Sequence, residues 1–160
     1  MDIKTSDLYD AHGESMKIAD SNSFKSYGMK KSFSGMIVTV NCFEDNPLVK
    51  KTLEESGMGK VLVVDGGASM RCALLGDMLG EIAVKNNWNG IIINGCIRDS
   101  TELKNLNIGI RALGTNPRKS VKTGKGEVGV PVEFAGIKFT PGEYVYCDED
   151  GIVVSESNLA

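Results

Sequence analysis

The clearest feature along the chain is a continuous apolar run, Val61-Leu62-Val63-Val64, closed by Asp65 and the pair Gly66-Gly67. A run without polar alternation reads as a central strand covered on both faces. A second short run, Ile91-Ile92-Ile93, follows Gly90, and Asn94 to Ile97 then carry the chain out of the strand. Between the two runs, Met78, Leu79, Ile82 and Ala83 fall on one helical face, and Lys85, Asn86 and Asn87 end that segment in polar residues. This predicts a helix opening at Gly76-Asp77, with Asp77 as its N-cap. Upstream, Ile37 to Val40 is a β-branched strand, and Asn46-Pro47 opens a helix whose apolar face is Leu48, Val49 and Leu53. Thr5 to Ala11 reads as a short capped helix ended by Gly13, and Asp20 to Tyr27 as a polar loop. Downstream, Ser100 to Lys104 is a short helix and Ile108 to Gly114 a strand. The last quarter is strand-rich: Val132–Ala135, Ile137–Phe139, Tyr144–Cys147 and Ile152–Ser155, joined by turns at Ala135-Gly136, Pro141-Gly142 and Asp148–Gly151. Helices mixed with strands, then strands alone, predict an α/β fold with a mixed sheet and flanking helices.

Composition narrows the partners. At 160 residues one domain, 1–160, is expected, with ordinary globular composition of 41% hydrophobic and 24% charged residues. The formal charge of −3 gives no electrostatic reason to expect direct nucleic-acid binding. No apolar run reaches the length of a membrane span and no signal-peptide pattern opens the chain, so a cytoplasmic protein without membrane contact is expected. Cys42, Cys72, Cys96 and Cys147 stand far apart with no CxxC pair, which predicts buried free thiols. A lone histidine, His12, argues against a His-rich zinc site or a Ser-His-Asp triad.

The candidate chemistry lies between Gly76 and Asp99. One helix and one strand separate a helix start from the pair Arg98-Asp99, a span that brings both ends to one sheet edge. The amides of Gly76, Asp77, Met78 and Leu79 belong to the helix start, where unpaired N–H groups and the dipole favour a carboxylate. Arg98 offers a planar donor fork for a second anionic group. Asp99 is a hard oxygen ligand for Mg²⁺ or Mn²⁺. Together they suit a metal-assisted reaction on a small 2-oxo acid. The same residues also read as an ordinary cap followed by the opening of the next helix, and both readings stand. The glycine pair after Val61–Asp65 is open between a ligand approach and a tight turn. The run Pro117 to Lys125, with Arg118, Lys119, Lys122 and Lys125, reads either as a recruiter of anions or as a solvated surface. Gly124 to Gly129 matches GxGxxG on paper, but it follows a polar loop and leads into no helix, which rejects a dinucleotide site.

Three stretches together, Val61 to Arg71, Asn94-Gly-Cys-Ile-Arg-Asp99 and Asp150 to Ser155, with Phe43 to Asn46 in the first third, resemble the RraA-like family over essentially the whole chain. The resemblance implies a swivelling-domain fold of α/β/α type and a homotrimer with sites near subunit contacts. One branch of the family regulates ribonuclease activity by binding the enzyme. The other is a class II, metal-dependent 4-hydroxy-4-methyl-2-oxoglutarate aldolase that also decarboxylates oxaloacetate. In the enzyme branch, a Gly-x-x-Leu stretch that binds the pyruvyl carboxylate corresponds to Gly76 to Leu79. Its substrate-binding arginine corresponds to Arg98 and its metal-binding aspartate to Asp99. Regulator-type members tend to lack that aspartate, so Asp99 points to the metal-binding branch. The implied mechanism passes through a pyruvate enolate stabilised by Arg98 and the metal, with Asp77 orienting the water that returns the proton.

Overall fold

The structure, a computed structural model, describes residues 3–159. In chain order its elements are α1 (Thr5–His12), a 3₁₀ turn, β1 (Met16–Ile18), β2 (Lys25–Ser26), β3 (Phe33–Asn41), α2 (Pro47–Leu53), β4 (Val61–Asp65) and β5 (Ala73–Leu75). Then come α3 (Asp77–Lys85), β6 (Gly90–Ile97), α4 (Ser100–Leu103), β7 (Gly109–Thr115), β8 (Glu127–Val128), β9 (Val132–Phe134), β10 (Ile137–Phe139), β11 (Tyr144–Cys147) and β12 (Ile152–Ser155). Among the described residues, ten strands form one mixed sheet in the order β1-β12-β11-β3-β4-β6-β7-β2, with β5 paired to β6 and β8 to β3; β9 and β10 form a separate hairpin.

The apolar runs become the centre. β4 lies between β3 and β6, parallel to both, and Val61 to Val64 are fully buried. Their alternation feeds two cores. Leu62, Val64, Ile91 and Ile93 pack beneath α2 and α3, against Val49, Leu53, Leu79 and Ala83. Val61, Val63 and Ile92 face the other way, onto Phe33, Val132, Phe134 and Phe139. Truncating one such buried Leu or Ile to Ala would cost about 2–5 kcal/mol. Gly90 and Gly109 are register partners, and a Cβ on either would fall 2.1 Å or 1.9 Å from the Phe33 ring. The aromatic ring therefore fills the space two side chains would need, and glycine at both positions is a packing requirement.

The elements expected from the pattern form, with differences that matter near the site. β6 continues through Asn94 to Ile97, where the sequence pattern ended it at Ile93. β5 is an additional strand that the sequence pattern does not predict. The expected polar loop of residues 20–27 contains the two-residue strand β2, held against β7. α1 carries no side-chain cap of its own. Instead Asp148 accepts bonds from the Thr5 amide and hydroxyl, both at 2.7 Å, and docks the helix start onto the turn after β11. All four cysteines are buried and free. Burial pushes the thiols of Cys42 and Cys147 up to about 12. No helix is long and apolar enough to cross a membrane, among the described residues.

Candidate functional site

The site begins with two parallel strands that end side by side. β5 runs parallel to β6 with Leu75 opposite Ile97, and the Arg98 amide donates to the Leu75 carbonyl at 2.9 Å. Beyond this pairing β5 leads into α3 through Gly76 and β6 leads into α4 through Arg98 and Asp99. Helix starts and loops at the carboxyl ends of parallel strands are where α/β sheets place ligands. Here they border a cleft of about 460 Å³, and all six residues named from the sequence line it: Gly76, Asp77, Met78, Leu79, Arg98 and Asp99.

Asp99 is the geometric key. It has φ +56°, in the left-handed region that Asp tolerates better than most side chains. That conformation turns its carboxylate away from α4, which it precedes without capping, and toward α3. Oδ2 accepts the Asp77 amide at 3.0 Å. Gly76, not Asp77, is the N-cap residue of α3, and the expectation of an Asp77 cap is corrected. Asp77 is the first helical residue, and its Oδ1 accepts only the neighbouring Met78 amide, at 2.8 Å. A carboxylate from a different strand end thus caps α3, where the helix dipole favours negative charge. Two amides of the expected anion cradle are already held by the protein's own carboxylates.

Gly76 makes the arrangement possible. A Cβ there would lie 2.6 Å from Asp99 Oδ2, 3.3 Å from Arg98 Cγ and 3.4 Å from Arg98 Nε. The Arg98 stem passes across this glycine, and its guanidinium donates to the Pro117 carbonyl at 3.4 Å. That contact ties Arg98 to the basic loop.

The basic loop, whose sequence fits an anion recruiter or a solvated surface, brings Lys119 and Lys122 to the cleft. Asp45 is almost fully buried and gathers the amides of Thr123 and Gly124 at 3.1 Å and of Lys125 at 3.0 Å, together with the Thr123 hydroxyl. Burial alone would raise the Asp45 carboxyl, but these bonds outweigh it and hold it below its usual range. The next residue, Asn46, donates to the Leu74 carbonyl at 2.9 Å and accepts the Lys122 ammonium at 2.5 Å. Asn46, Lys119, Lys122 and Lys50 of α2 therefore line the same cleft. Partial burial, then the positive charges of Arg98 and Lys119, lower the Lys122 ammonium from its ordinary range. Four cations in eight residues were the available signal; their direction depends on Asp45. Other candidates lie elsewhere. Gly66 and Gly67 form a tight turn, with Gly67 at φ +66° donating to Asp65 Oδ1 at 3.0 Å. Arg71 pairs with Glu44 at 2.7 Å and lies over the Phe43 ring. Neither they nor His12 border the cleft.

For a cation, the donor set is carboxylate oxygen. No group of three or more His, Cys, Asp or Glu side chains forms a closed cage, among the described residues. Asp99 has one oxygen on the Asp77 amide and borders a cleft with room for water. That suits a hard divalent ion such as Mg²⁺, which commonly takes one or two carboxylates and keeps much of its water shell.

A parallel strand core whose ends present an arginine, an aspartate, a helix start and converging lysines to one cleft defines the α/β architecture of this protein. The chain matches the RraA-like family, described as Aldolase/RraA, over residues 5–154, and it belongs to that family. A relative from Aromatoleum aromaticum, provisionally named a 4-hydroxy-4-methyl-2-oxoglutarate aldolase, is 54% identical, with 99% of each chain covered. Among solved structures, the RNA-processing inhibitor RraA from Thermus thermophilus is similar with TM-score 0.96 and 42% identity, over 100% of this chain and 96% of that one. A Geobacillus kaustophilus protein described as an S-adenosylmethionine:2-dimethylmenaquinone methyltransferase is similar with TM-score 0.96 and 50% identity, over 98% of this chain and 97% of the other.

Proposed function

We propose that this chain is a divalent-metal-dependent lyase, working as a cytoplasmic homotrimer, that cleaves 4-hydroxy-4-methyl-2-oxoglutarate to pyruvate and decarboxylates oxaloacetate. The observation that carries the reading is the placement of Asp99 and Arg98 side by side over the start of α3, in a cleft bordered by cations. The names of relatives about half identical to this chain support the same substrate.

The residues divide the work. Arg98 would hold the 2-oxo oxygen of the substrate with its fork, and the α3 start would receive the adjacent carboxylate at the Leu79 amide and those now held by Asp77 and Asp99. Asp99 would hold Mg²⁺ or Mn²⁺, with water filling the rest of its shell, and the ion when bound supplies Lewis acidity to the electron-rich oxygen of the reacting 2-oxo acid. In the aldol cleavage the C4 hydroxyl passes its proton to water in the cleft and becomes the carbonyl of one pyruvate, while the C3–C4 bond breaks and its electron pair passes into the enolate of the second pyruvate. In the decarboxylation, loss of carbon dioxide leaves the same enolate. Arg98 would stabilise that charge as it develops, which is where fixed donors contribute most. Asp77 would orient the water that returns the proton to C3.

The test is pyruvate release from both substrates, with and without Mg²⁺ or Mn²⁺ and corrected for decarboxylation by metal alone. Asp99→Asn keeps the shape and removes the charge, so it should abolish the metal-dependent rate with little change in unfolding. An Asp99→Asn protein at the wild-type rate would overturn the assignment. A second reading, favoured by the likeness to the Thermus RNA-processing inhibitor, is a regulator that binds and inhibits a ribonuclease without catalysis; Asp99→Asn should leave such binding nearly intact. The methyltransferase name gains no support here. Gly124 to Gly129 form a loop and β8, not the strand-to-helix turn of a nucleotide-binding glycine motif.

A further inference from the structure

We infer that Lys122 is the contact for the second carboxylate of a dicarboxylic 2-oxo acid, and that Asp45 is the positioning residue that holds it over the cleft. The inference rests on the lyase reading for its substrate class and goes beyond it in naming what sets specificity at the far end of the substrate.

The cleft has two chemically different walls. One is the α3 start with Asp77, Asp99 and Arg98, which serves the 2-oxo carboxylate end. The other carries Lys122, Lys119 and Lys50, with Asn46 between. A monocarboxylate such as pyruvate needs only the first wall. A substrate with a carboxylate at each end has a second anion to place, and Lys122 is the one lysine lining the cleft, among the described residues, whose ammonium a side-chain hydrogen bond ties to the wall, at Asn46 Oδ1. That partner is neutral. Among the described residues, Lys122 therefore stands in the cleft without a carboxylate hydrogen-bonded to it, close enough to Arg98 and Lys119 for their charges to act on it. The Asp45 carboxylate also acts on Lys122 through space, but it is bound to the loop amides, and an incoming carboxylate would give the ammonium a charged partner in direct contact.

Lys122 is on a loop, and a loop lysine left to itself extends into water. Here the loop is fastened. The Asp45 carboxylate binds the three consecutive amides that follow Lys122. The Val121 amide donates to the Glu44 carbonyl at 3.1 Å, and the Ser120 hydroxyl accepts the Asn46 amide at 3.1 Å. Residues 120–125 are thus wrapped around Glu44-Asp45-Asn46, and Lys122, in the middle, is turned onto Asn46. A carboxylate bound by several amides is a charged acceptor in each of them, and such bonds are roughly twice as strong as neutral ones. Asp45 touches no substrate; it acts through the loop.

The experiment is calorimetric binding of 2-oxoglutarate and of pyruvate in the presence of Mg²⁺, to the wild type and to Lys122→Met, Lys122→Arg, Asp45→Asn and Lys125→Met. The readout is the ratio of the two affinities, because a purely structural loss would lower both together. The wild type should prefer the dicarboxylate. Lys122→Met and Asp45→Asn should each reduce that preference at least tenfold, Lys122→Arg should recover part of it, and Lys125→Met, whose side chain is outside the cleft, should keep it. A wild type without preference, or a Lys122→Met protein that retains it, overturns the inference. Should Lys122→Met lose the preference and Asp45→Asn keep it, the positioning role of Asp45 is overturned. A wild type that binds with this preference yet releases no pyruvate overturns the lyase reading and leaves the inference standing.

Discussion

Gly76→Ala separates the chemistry of the site from the stability of the fold. Glycine is not needed here for its backbone: φ is −134°, an extended conformation any residue adopts. What an alanine would meet is the site itself, with Asp99 Oδ2 2.6 Å from the new Cβ. Carbon contacts are comfortable from about 3.5 Å, so the carboxylate must retreat by roughly 0.9 Å. The obstructing atom is the end of a side chain, so it can move, and the backbone need not. The retreat removes the Asp99 cap from the Asp77 amide, a loss of about 1 kcal/mol. Restricting the unfolded chain returns about 0.4–1 kcal/mol. The net destabilisation should therefore stay below about 1 kcal/mol. On the proposed lyase function, activity has no such compensation, because a metal-holding carboxylate displaced by about 1 Å can cost roughly 10²-fold in rate. Unfolding in urea can be followed through the chain's single tryptophan, Trp88, which is buried and donates its indole N–H to the carbonyls of Leu53 and Glu55. Pyruvate release is read in a coupled dehydrogenase assay. A variant within threefold of the wild-type rate would refute the reasoning. So would a loss of stability above about 3 kcal/mol, the scale of a core disruption, since it would mean that the backbone gives way.

Three further outcomes follow from the same structure. Arg98→Lys keeps the charge and loses the planar fork, and it should cost about 2–4 kcal/mol in kcat/KM with an unchanged unfolding midpoint; a smaller loss would place Arg98 outside the reacting end. Cys42 and Cys147, pushed up to about 12 by burial, should resist a thiol-specific disulfide reagent at pH 8 in the native protein and react on denaturation; rapid native labelling of either would contradict their burial. Burial raises the Asp148 carboxyl, yet the bonds from Thr5, Asp150 and Gly151 outweigh it and lower it below its ordinary 3.8. A depressed carboxyl contributes stability above its unfolded pKa and loses it as pH falls through the folded one. The difference in melting temperature between wild type and Asp148→Asn should therefore be present at pH 7 and shrink below about pH 3.8; a difference that does not change with pH would refute this account.

What the sequence made legible, and what it hid, divides by the range of the interaction involved. Val61 to Val64 and Ile91 to Ile93 declare themselves because burial on both faces demands apolar side chains at every position, a local rule. Ala73 to Leu75 could not declare itself. Three apolar residues fit a strand or the lead into a helix equally, and only the partner strand decides. Yet the site depends on that pairing. Asp99 reads locally as the residue opening α4, and its carboxylate serves α3 because Leu75 stands opposite Ile97 and because a left-handed turn at Asp99 directs the side chain across the join. A shift of one residue in that register would send every side chain of the slipped strand to the opposite face of the sheet and part Arg98 and Asp99 from Gly76. Likewise Lys119 and Lys122 look like any solvated basic loop until the buried Asp45, more than seventy positions earlier in the chain, fastens the loop amides. The types of residue suited to binding an anion and a divalent ion were therefore visible in the sequence. Their convergence is set by long-range pairings, β5 on β6 and Asp45 on the loop, so the substitutions that best test the site include residues that need touch no substrate, Gly76 and Asp45.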